Sequence, residues 1–475
     1  MKGSSMVATD AQTVEEQACF SKGEAAGDGV ASSLPSLVRG ACPSLSAPMQ
    51  TGDGLLVRLR PSTPGLTVAQ LRALAEATGR HGNGLIEITA RGNLQLRGMT
   101  SESMTGLATD IDRAGIVPES GVAIEVPPLS GVDPSEIADA RLLAERLRNA
   151  IDALHPKPLL AAKLAIIVDA GGRLVLDELT ADIRLKATHS DDGGQSWALS
   201  IAETAATATP LAALPSEQAI AAVVTLLKTL ATIGPRARGR DLNVAALRTQ
   251  FAVFSSFPRR EITPSVPPVG VIPLDNEQSA LGLRAAFGQI HAQDLIRFLD
   301  RAEMAGVHEL RTGPEHSLLL LGLPYHRIES VLAAAADCGF RTRADDPANY
   351  IIPCSGAGAC ASAHYATKQA AADLVEIGAE LLDGSLKVHL SGCIKGCAHP
   401  SPAMLTIVGA ATGYAIVVNG SSSSEPVAYI DKEGLKSALA ALGELVRNNK
   451  AAGESAQQCL KRLGRDAIAT ALRQG

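Results

Sequence analysis

One pattern of secondary structure occurs twice in this chain, about half the chain length apart. The first copy has the patterns of a strand, a helix and two further strands, at residues 55–60, 68–78, 85–89 and 93–97. The second copy runs from about residue 281 to 323, and Leu71 of the first copy matches Leu295, 224 positions later. Ala- and Leu-rich helices also align by chance, but strands, a helix and glycines in one register indicate a duplication.

Neither β-α-β-β copy can bury its sheet face alone, so the duplication predicts that the two copies share a sheet. The intervening segments also correspond at this offset, with a helix and then a strand in each. The predicted parts are a flexible arm (1–38), half-domain 1 (39–110), a first α/β region (111–270), half-domain 2 (271–340), and a second α/β region with four clustered cysteines and C-terminal helices (341–475).

Composition excludes several classes of protein. Of the 475 residues 46% are hydrophobic, which is typical of a folded chain, and 43 basic against 49 acidic side chains give a net charge of −6. A mildly acidic protein lacks the basic face of a non-specific nucleic-acid binder, so no nucleic-acid partner is expected. The most apolar stretch, 219–233, is too short to span a bilayer, and no signal-peptide pattern is found. We therefore expect a cytoplasmic chain with no membrane partner.

Four of the eight cysteines fall within residues 354–397, in a chain that lacks an export signal. Such clustering indicates metal binding or redox chemistry. Four thiolates on two flexible loops suit a [4Fe–4S] cluster, whereas structural zinc usually uses tighter spacings, and inert buried thiols are a further alternative. The clustered set is Cys354-x5-Cys360 and Cys393-x3-Cys397; the structural or incidental set is Cys19, Cys42, Cys338 and Cys459.

Arginines lie near one edge of the sheet that is predicted for half-domain 1. Arg58 and Arg60 end its first strand, and Arg91 lies in the turn before its last strand. Guanidinium groups bind carboxylates bidentately, which makes these residues a candidate anion site. The alternative is a set of ordinary surface arginines on a half-exposed sheet, and charge alone favours that alternative.

Together these motifs resemble the sulfite/nitrite reductase family. The resemblance covers residues from about 40 to the C-terminus, and it rests on the wide cysteine pair followed by Ser391-Gly392-Cys393-x3-Cys397, the strand motif Thr89-x-Arg91-x3-Gln95, and the duplication. It implies an α+β architecture of two ferredoxin-like half-domains that share a sheet, plus two α/β domains. It also implies a [4Fe–4S] cluster on the four cysteines, bridged in that family to sirohaem through the last of them.

In that family, arginines and lysines hold the carboxylates of the macrocycle. Arg60 and Arg91 match such positions, with Gln95 behind them. The candidate carboxylate-binding set is therefore Arg58, Arg60, Arg91, Gln95, Arg97 and Lys163.

Within the family, the stretches 39–43, 52–61, 391–400 and 453–456 are most similar to members that take a tetrapyrrole as substrate. Such enzymes carry a [4Fe–4S] centre and a mononuclear non-haem iron instead of sirohaem. With O2 and an electron donor they hydroxylate a cobalamin precursor, and an acetate side chain then closes a γ-lactone. The chain also departs from the reductases, because only Lys163 remains of the basic cluster that precedes their central strand, and a weaker grip suits a macrocycle that must leave as product.

The ligands of the mononuclear iron are not evident from the sequence. His364, His389 and His399 lie near the cysteine motif, but no two-His-one-carboxylate spacing stands out, and a single histidine is more often structural. Two alternatives to the oxygen-dependent enzyme remain. One is a sirohaem-dependent sulfite or nitrite reductase with the same fold, and the other is a cluster- or zinc-stabilised scaffold without catalysis.

Overall fold

The structure is a computed structural model, and it describes residues 43–189, 193–251, 265–275 and 278–475. The predicted arm, the 39–42 part of the first family motif, and the cysteines Cys19 and Cys42 lie outside the described residues.

Half-domain 1 is a sheet with two helices. The long helix begins where predicted, because Thr67 forms a capping box with Gln70: the Thr67 side chain accepts from the Gln70 N–H, and the Gln70 side chain accepts from the Thr67 N–H. Leu71 and Leu74 of this helix are buried against the sheet. The elements are β1 (Met49–Thr51), β2 (Gly54–Leu59), β3 (Leu66–Thr67), α1 (Val68–His81), β4 (Leu85–Ile88), β5 (Leu94–Met99) and α2 (Ser103–Arg113).

The first α/β region follows, with strands at both of its ends and helices between and after them. Its elements are β6 (Ala123–Glu125), α3 (Ala140–Asp152), β7 (Ala165–Asp169), β8 (Ile183–His189), β9 (Gln195–Ile201), β10 (Thr209–Leu214), α4 (Ser216–Ile233) and α5 (Val244–Phe251).

Half-domain 2 repeats half-domain 1, which confirms the predicted duplication. Its helix α6 and strands β14 and β15 lie 224 residues after α1, β4 and β5, with boundaries that agree within one residue. The elements are β11 (Gly270–Pro273), β12 (Gln278–Ala285), β13 (Gln289–His291), α6 (Ala292–Met304), β14 (Glu309–Gly313), β15 (Ser317–Pro324), α7 (Ile328–Asp337) and β16 (Phe340–Arg341).

The two half-domains share their sheets by exchanging a short strand. Strand β3 of half-domain 1 pairs with β14, with Leu66 opposite Leu310, and β13 of half-domain 2 pairs with β4, with Ile290 opposite Ile86. Instead of one continuous sheet there are therefore two, with the orders β1-β2-β5-β4-β13 and β11-β12-β15-β14-β3. Because β13 also lies 224 residues after β3, the exchange obeys the symmetry of the repeat.

The second α/β region has the same sheet topology as the first. In each, three parallel strands are followed by two antiparallel ones, in the orders β6-β7-β8-β9-β10 and β17-β18-β19-β20-β21. The elements of the second region are β17 (Ile351–Pro353), α8 (Thr367–Ile377), β18 (Val388–Ser391), β19 (Ala403–Ala410), β20 (Gly413–Gly420), β21 (Ala428–Asp431), α9 (Leu435–Asn449) and α10 (Ala456–Gln474).

Helix α4 is the one helix in the described ranges that is long and apolar enough, by length and composition, to cross a membrane. Its residues Val223, Leu226 and Leu230 are buried in the core that the first α/β region builds around Trp197. Its apolar face is therefore accounted for by packing within the fold.

Two predicted helices begin later than expected. The helix expected from residue 135 begins at Ala140, where Asp139 caps it, and the helix expected from residue 361 begins at Thr367. The second difference has a physical reason. The backbone of residues 361–366 is used by the neighbouring cysteine loops, with the Ala363 N–H donating to the Cys360 carbonyl at 3.1 Å.

Candidate functional site

The four clustered cysteines lie on two loops that contact each other. The first cysteine loop (354–360) follows β17, and the second (391–397) follows β18, its parallel neighbour, so both leave the same edge of the sheet. The Gly392 N–H donates to the Cys354 Sγ at 3.1 Å, and the His364 N–H donates to the Gly392 carbonyl at 2.8 Å. The loops are therefore held together by their own backbone.

Glycine is required at two positions of these loops. Gly356 has a φ of +76°, in the left-handed region, and a Cβ there would lie 2.6 Å from the Thr367 Oγ1. A Cβ on Gly392 would lie 2.6 Å from the Cβ of Ala363 and 3.3 Å from the Cys354 Sγ. Larger side chains would therefore separate the two loops or fill the space beside a thiol.

The thiols are free and close enough to interact electrostatically. Cys354, Cys360 and Cys393 are partly buried and Cys397 is exposed. Burial raises the pKa of the Cys397 thiol, and each of the other three cysteines raises it further.

These residues fit a [4Fe–4S] cluster better than a single ion. Nowhere in the described part of the chain do three or more His, Cys, Asp or Glu side chains form a group that could hold one metal ion. Each thiolate of a four-iron cluster binds a different iron, so the ligands of a cluster stand further apart than those of one zinc ion. Four free thiols on two mutually bonded loops match the wider arrangement.

The three candidate histidines are placed differently. His364 is exposed on the first loop side, whereas His389 on β18 is fully buried and neither of its ring nitrogens has a hydrogen-bond partner. The rings of His389 and His399 meet edge to face, with centroids 5.7 Å apart. Burial, reinforced by His399, lowers the pKa of His389 to about 4, so its imidazole is neutral at pH 7. The three histidines do not form a complete site for a mononuclear iron.

A chain of buried charges joins half-domain 1 to the first cysteine loop. Arg97 donates to both carboxylate oxygens of Asp53 at 2.9 Å, approaches Glu87 at 3.3 Å, and donates to the Ala359 carbonyl at 2.7 Å. Lys368, in the first turn of α8, contacts Glu87 at 3.0 Å. Burial opposes the ionisation of Glu87, but Lys368 and Arg97 outweigh it and lower the pKa of that carboxyl.

A second feature is a cavity of about 440 Å³ bounded by half-domain 1, the first α/β region and half-domain 2. The four cysteines are not among the residues that line it. Its lining is rich in charge, with five arginines and three glutamates: Arg60, Arg91, Arg141, Arg148, Arg311, Glu119, Glu125 and Glu145.

The predicted arginines Arg60 and Arg91 meet in this cavity through protein carboxylates. Arg91 grips Glu125 with two hydrogen bonds, from Nε to Oε1 at 2.9 Å and from Nη2 to Oε2 at 2.6 Å. Arg60 contacts Glu119 at 2.9 Å and Glu125 at 3.8 Å. The prediction that these arginines bind carboxylates bidentately therefore has an intramolecular counterpart.

The other candidates lie elsewhere. Arg58 and Gln95 are paired across β2 and β5, beside the cavity and not among its lining residues. Arg97 is buried in its ion pairs, so its guanidinium points to the cysteine loop and not to the cavity. Lys163 is exposed in the turn before β7 and does not line the cavity.

Sequence reasoning missed the acidic partners and three of the cavity arginines. Arg141 and Arg148 lie seven residues apart on α3, which places them on one helix face, and this spacing was a usable signal. Glu119 and Glu125 lie in a short connecting segment with no periodic pattern, so nothing in the sequence marked them.

The comparisons with known proteins agree with the geometry. Residues 47–114 match the family model described as the nitrite/sulfite reductase ferredoxin-like half domain. The fold is similar to that of the Mycobacterium tuberculosis NirA protein, with a TM-score of 0.70 at 19% identity over 87% of this chain and 84% of that one. A ferredoxin–nitrite reductase from Synechococcus elongatus is 25% identical over 76% of this chain and 77% of its own length. The fold and the half-domain motif thus define a protein of the nitrite/sulfite reductase-like class.

A much stronger similarity lies within that class. A precorrin-3B synthase from Sinorhizobium sp is 47% identical over 447 residues, which cover 94% of this chain and 97% of the relative. The chain belongs to the precorrin-3B synthase family.

Proposed function

We propose that this chain is a precorrin-3B synthase that converts precorrin-3A in cobalamin biosynthesis. In the proposed reaction one atom of O2 becomes a hydroxyl on a meso carbon of precorrin-3A. The other atom leaves as water, taking up two electrons and two protons from an electron donor. A substrate acetate then closes a γ-lactone. The near-full-length similarity to a precorrin-3B synthase carries this proposal.

The arginine-rich cavity is the proposed binding site for the substrate. Precorrin-3A has a rim of acetate and propionate groups, so its recognition requires several fixed cations. Arg60 and Arg91 supply such cations at the junction of three parts of the fold, and Arg148 and Arg311 line the same space. In this account these side chains bind and orient the carboxylates of the macrocycle and do not themselves transfer protons.

Cys354, Cys360, Cys393 and Cys397 are the proposed ligands of a [4Fe–4S] cluster. When bound, such a cluster supplies one-electron transfer. The Gly392 N–H that now donates to the Cys354 Sγ would keep that contact with a thiolate, and such hydrogen bonds tune the potential of a cluster. We assign no described residues to a mononuclear iron, because His364, His389 and His399 do not form a complete set. The electron donor belongs to the proposal only as a class, and we place the enzyme in the cytoplasm.

The absorption spectrum of anaerobically purified protein, with iron and acid-labile sulfide assays, tests the cofactor part of the proposal. The proposal predicts a broad brown cluster spectrum with equal iron and sulfide in the cluster and no sirohaem bands. Sirohaem bands would support a sulfite or nitrite reductase instead, and a colourless zinc protein would contradict both enzymes.

A further inference from the structure

We propose that Glu119 and Glu125 are internal carboxylates that compete with the ligand for Arg60 and Arg91, and so limit how tightly the cavity holds a polycarboxylate. This inference rests on the proposed function, because the ligand is taken to be a tetrapyrrole with several carboxylates. It adds a role for two residues that lie outside the cysteine and arginine motifs.

The first observation is that Arg91 has no hydrogen-bonding edge left for a second bidentate carboxylate. Its Nε and Nη2 both donate to Glu125, and its Nη1 donates to the Thr180 carbonyl at 2.9 Å. An arginine recognises a carboxylate best through two parallel N–H donors on one edge. A ligand carboxylate must therefore displace Glu125 or accept a poorer geometry.

The second observation is that Arg60 is held in the same way. Its Nε contacts Glu119 at 2.9 Å, its Nη2 lies 3.8 Å from Glu125, and its Nη1 donates to the Ile124 carbonyl at 3.4 Å. Glu119 also pairs with Arg148, so a continuous row runs Arg148–Glu119–Arg60–Glu125–Arg91.

The row carries little excess charge. Three arginines face two glutamates, and the side chains of Glu119 and Glu125 are only 10% and 9% exposed. Burial raises the pKa of Glu119; Arg60 and Arg148 oppose this rise, and Glu125 adds to it. The two carboxylates therefore destabilise each other, and this repulsion favours release of one arginine to an incoming anion.

A cavity of this kind suits a ligand that enters and leaves in each catalytic cycle. A permanently bound polyanionic cofactor would be held best by arginines without protein partners. Here every departing carboxylate of the ligand is replaced by a glutamate already in place, which lowers the barrier to product release.

The test is fluorescence titration of the full-length chain with uroporphyrin III, a porphyrin with eight carboxylates. Glu125→Gln keeps the shape of the side chain and removes its charge, so we expect binding on the order of tenfold tighter than wild type, with slower dissociation. Glu119→Gln should act in the same direction and serves as the second variant if Glu125→Gln does not fold. A merely structural role for either glutamate would weaken binding, so the direction of the change decides.

Two matched controls isolate the effect of the charge at the arginines. Glu145→Gln removes a carboxylate that lines the same cavity, where the described structure shows no ion pair for it, and should change the Kd less than twofold. Glu125→Asp keeps the charge and should not tighten binding. Unchanged or weaker binding by folded Glu125→Gln and Glu119→Gln would overturn the inference while the cavity assignment stands. A wild-type chain that does not bind uroporphyrin III would instead overturn the assignment of the cavity, and this inference with it.

Discussion

Arg97 donates from its Nη2 to the carbonyl of Ala359 at 2.7 Å, and Ala359 immediately precedes Cys360. Through this bond the sheet of half-domain 1 reaches the first cysteine loop. At the other end of that loop, the Thr367 Oγ1 donates to the Cys354 carbonyl at 2.7 Å, and the next residue, Lys368, pairs with Glu87 of the same sheet. Both ends of the loop are therefore anchored, directly or through α8, to half-domain 1.

Removing this anchor should destabilise the protein. Arg97 is 1% exposed, and Arg97→Ala leaves Asp53 and Glu87 without their shared cation. We expect a loss of about 3 kcal/mol in the free energy of unfolding, measured by urea denaturation at pH 7. The control is Arg113→Ala, which removes a side chain that is 73% exposed in its pair with Asp110 and should cost less than about 0.5 kcal/mol. Equal effects of the two substitutions would contradict the anchoring role.

The cysteine assignment predicts a specific loss of cofactor. Cys360→Ser should abolish the brown spectrum and most of the cluster iron, because the remaining three thiols leave one iron without its ligand. Cys459→Ala changes a buried cysteine outside both loops and should retain iron and sulfide at the wild-type ratio. Retention of a full cluster by Cys360→Ser would remove that residue from the ligand set.

The cavity assignment predicts that Arg91 contributes to ligand binding. Arg91→Ala removes the guanidinium that grips Glu125 and leaves that glutamate with a negative charge inside the cavity, so uroporphyrin III should bind on the order of tenfold more weakly. Arg80→Ala, an exposed position outside the cavity, is the control for a general loss of positive charge. An unchanged Kd for Arg91→Ala would count against the carboxylate-binding role.

The C-terminal helices should respond to acid through Asp383. Burial opposes ionisation of this carboxyl, but hydrogen bonds from Lys450, from Ser385 and from the Ala456 N–H outweigh it and lower its pKa from 3.8 to about 2. A lowered pKa stabilises the fold above the ordinary value and is lost as the pH falls through the folded value.

Asp383→Asn should therefore cost about 1 kcal/mol at pH 7, a modest value because the side chain is partly exposed. The difference in stability from wild type should shrink between pH 3.8 and about pH 2, followed by urea denaturation across that range. Ser385→Ala removes a hydrogen bond without removing the charge, so its smaller cost should depend less on pH. A constant difference for Asp383→Asn at all pH values would refute the assigned pKa.

The fold was largely predictable because the repeat offset carries through it. Residues 68–78 had a helical period and a capping threonine, and the matching helix 224 residues later followed the same pattern. The strand exchange was not predictable, because Leu66–Thr67 is too short to show a period. The family relationship confirms the expected class, and the cysteine and arginine assignments stay predictions.

The site was less predictable because its partners are distant in sequence. Arg91 pairs with Glu125 and with the Thr180 carbonyl, 34 and 89 residues away, and neither spacing leaves a mark in the chain. Arg97 looked like a further carboxylate-binding residue because its strand also carries Gln95. Only the fold shows that its guanidinium is used by Asp53, Glu87 and Ala359.

The most direct test of the proposed function is incubation of the reduced, cluster-loaded chain with precorrin-3A and isotopically labelled O2, followed by mass spectrometry of the tetrapyrrole. The account predicts a product that has gained one labelled oxygen atom and forms only when O2 is present. Unchanged precorrin-3A, together with reduction of nitrite or sulfite by the same preparation, would contradict it.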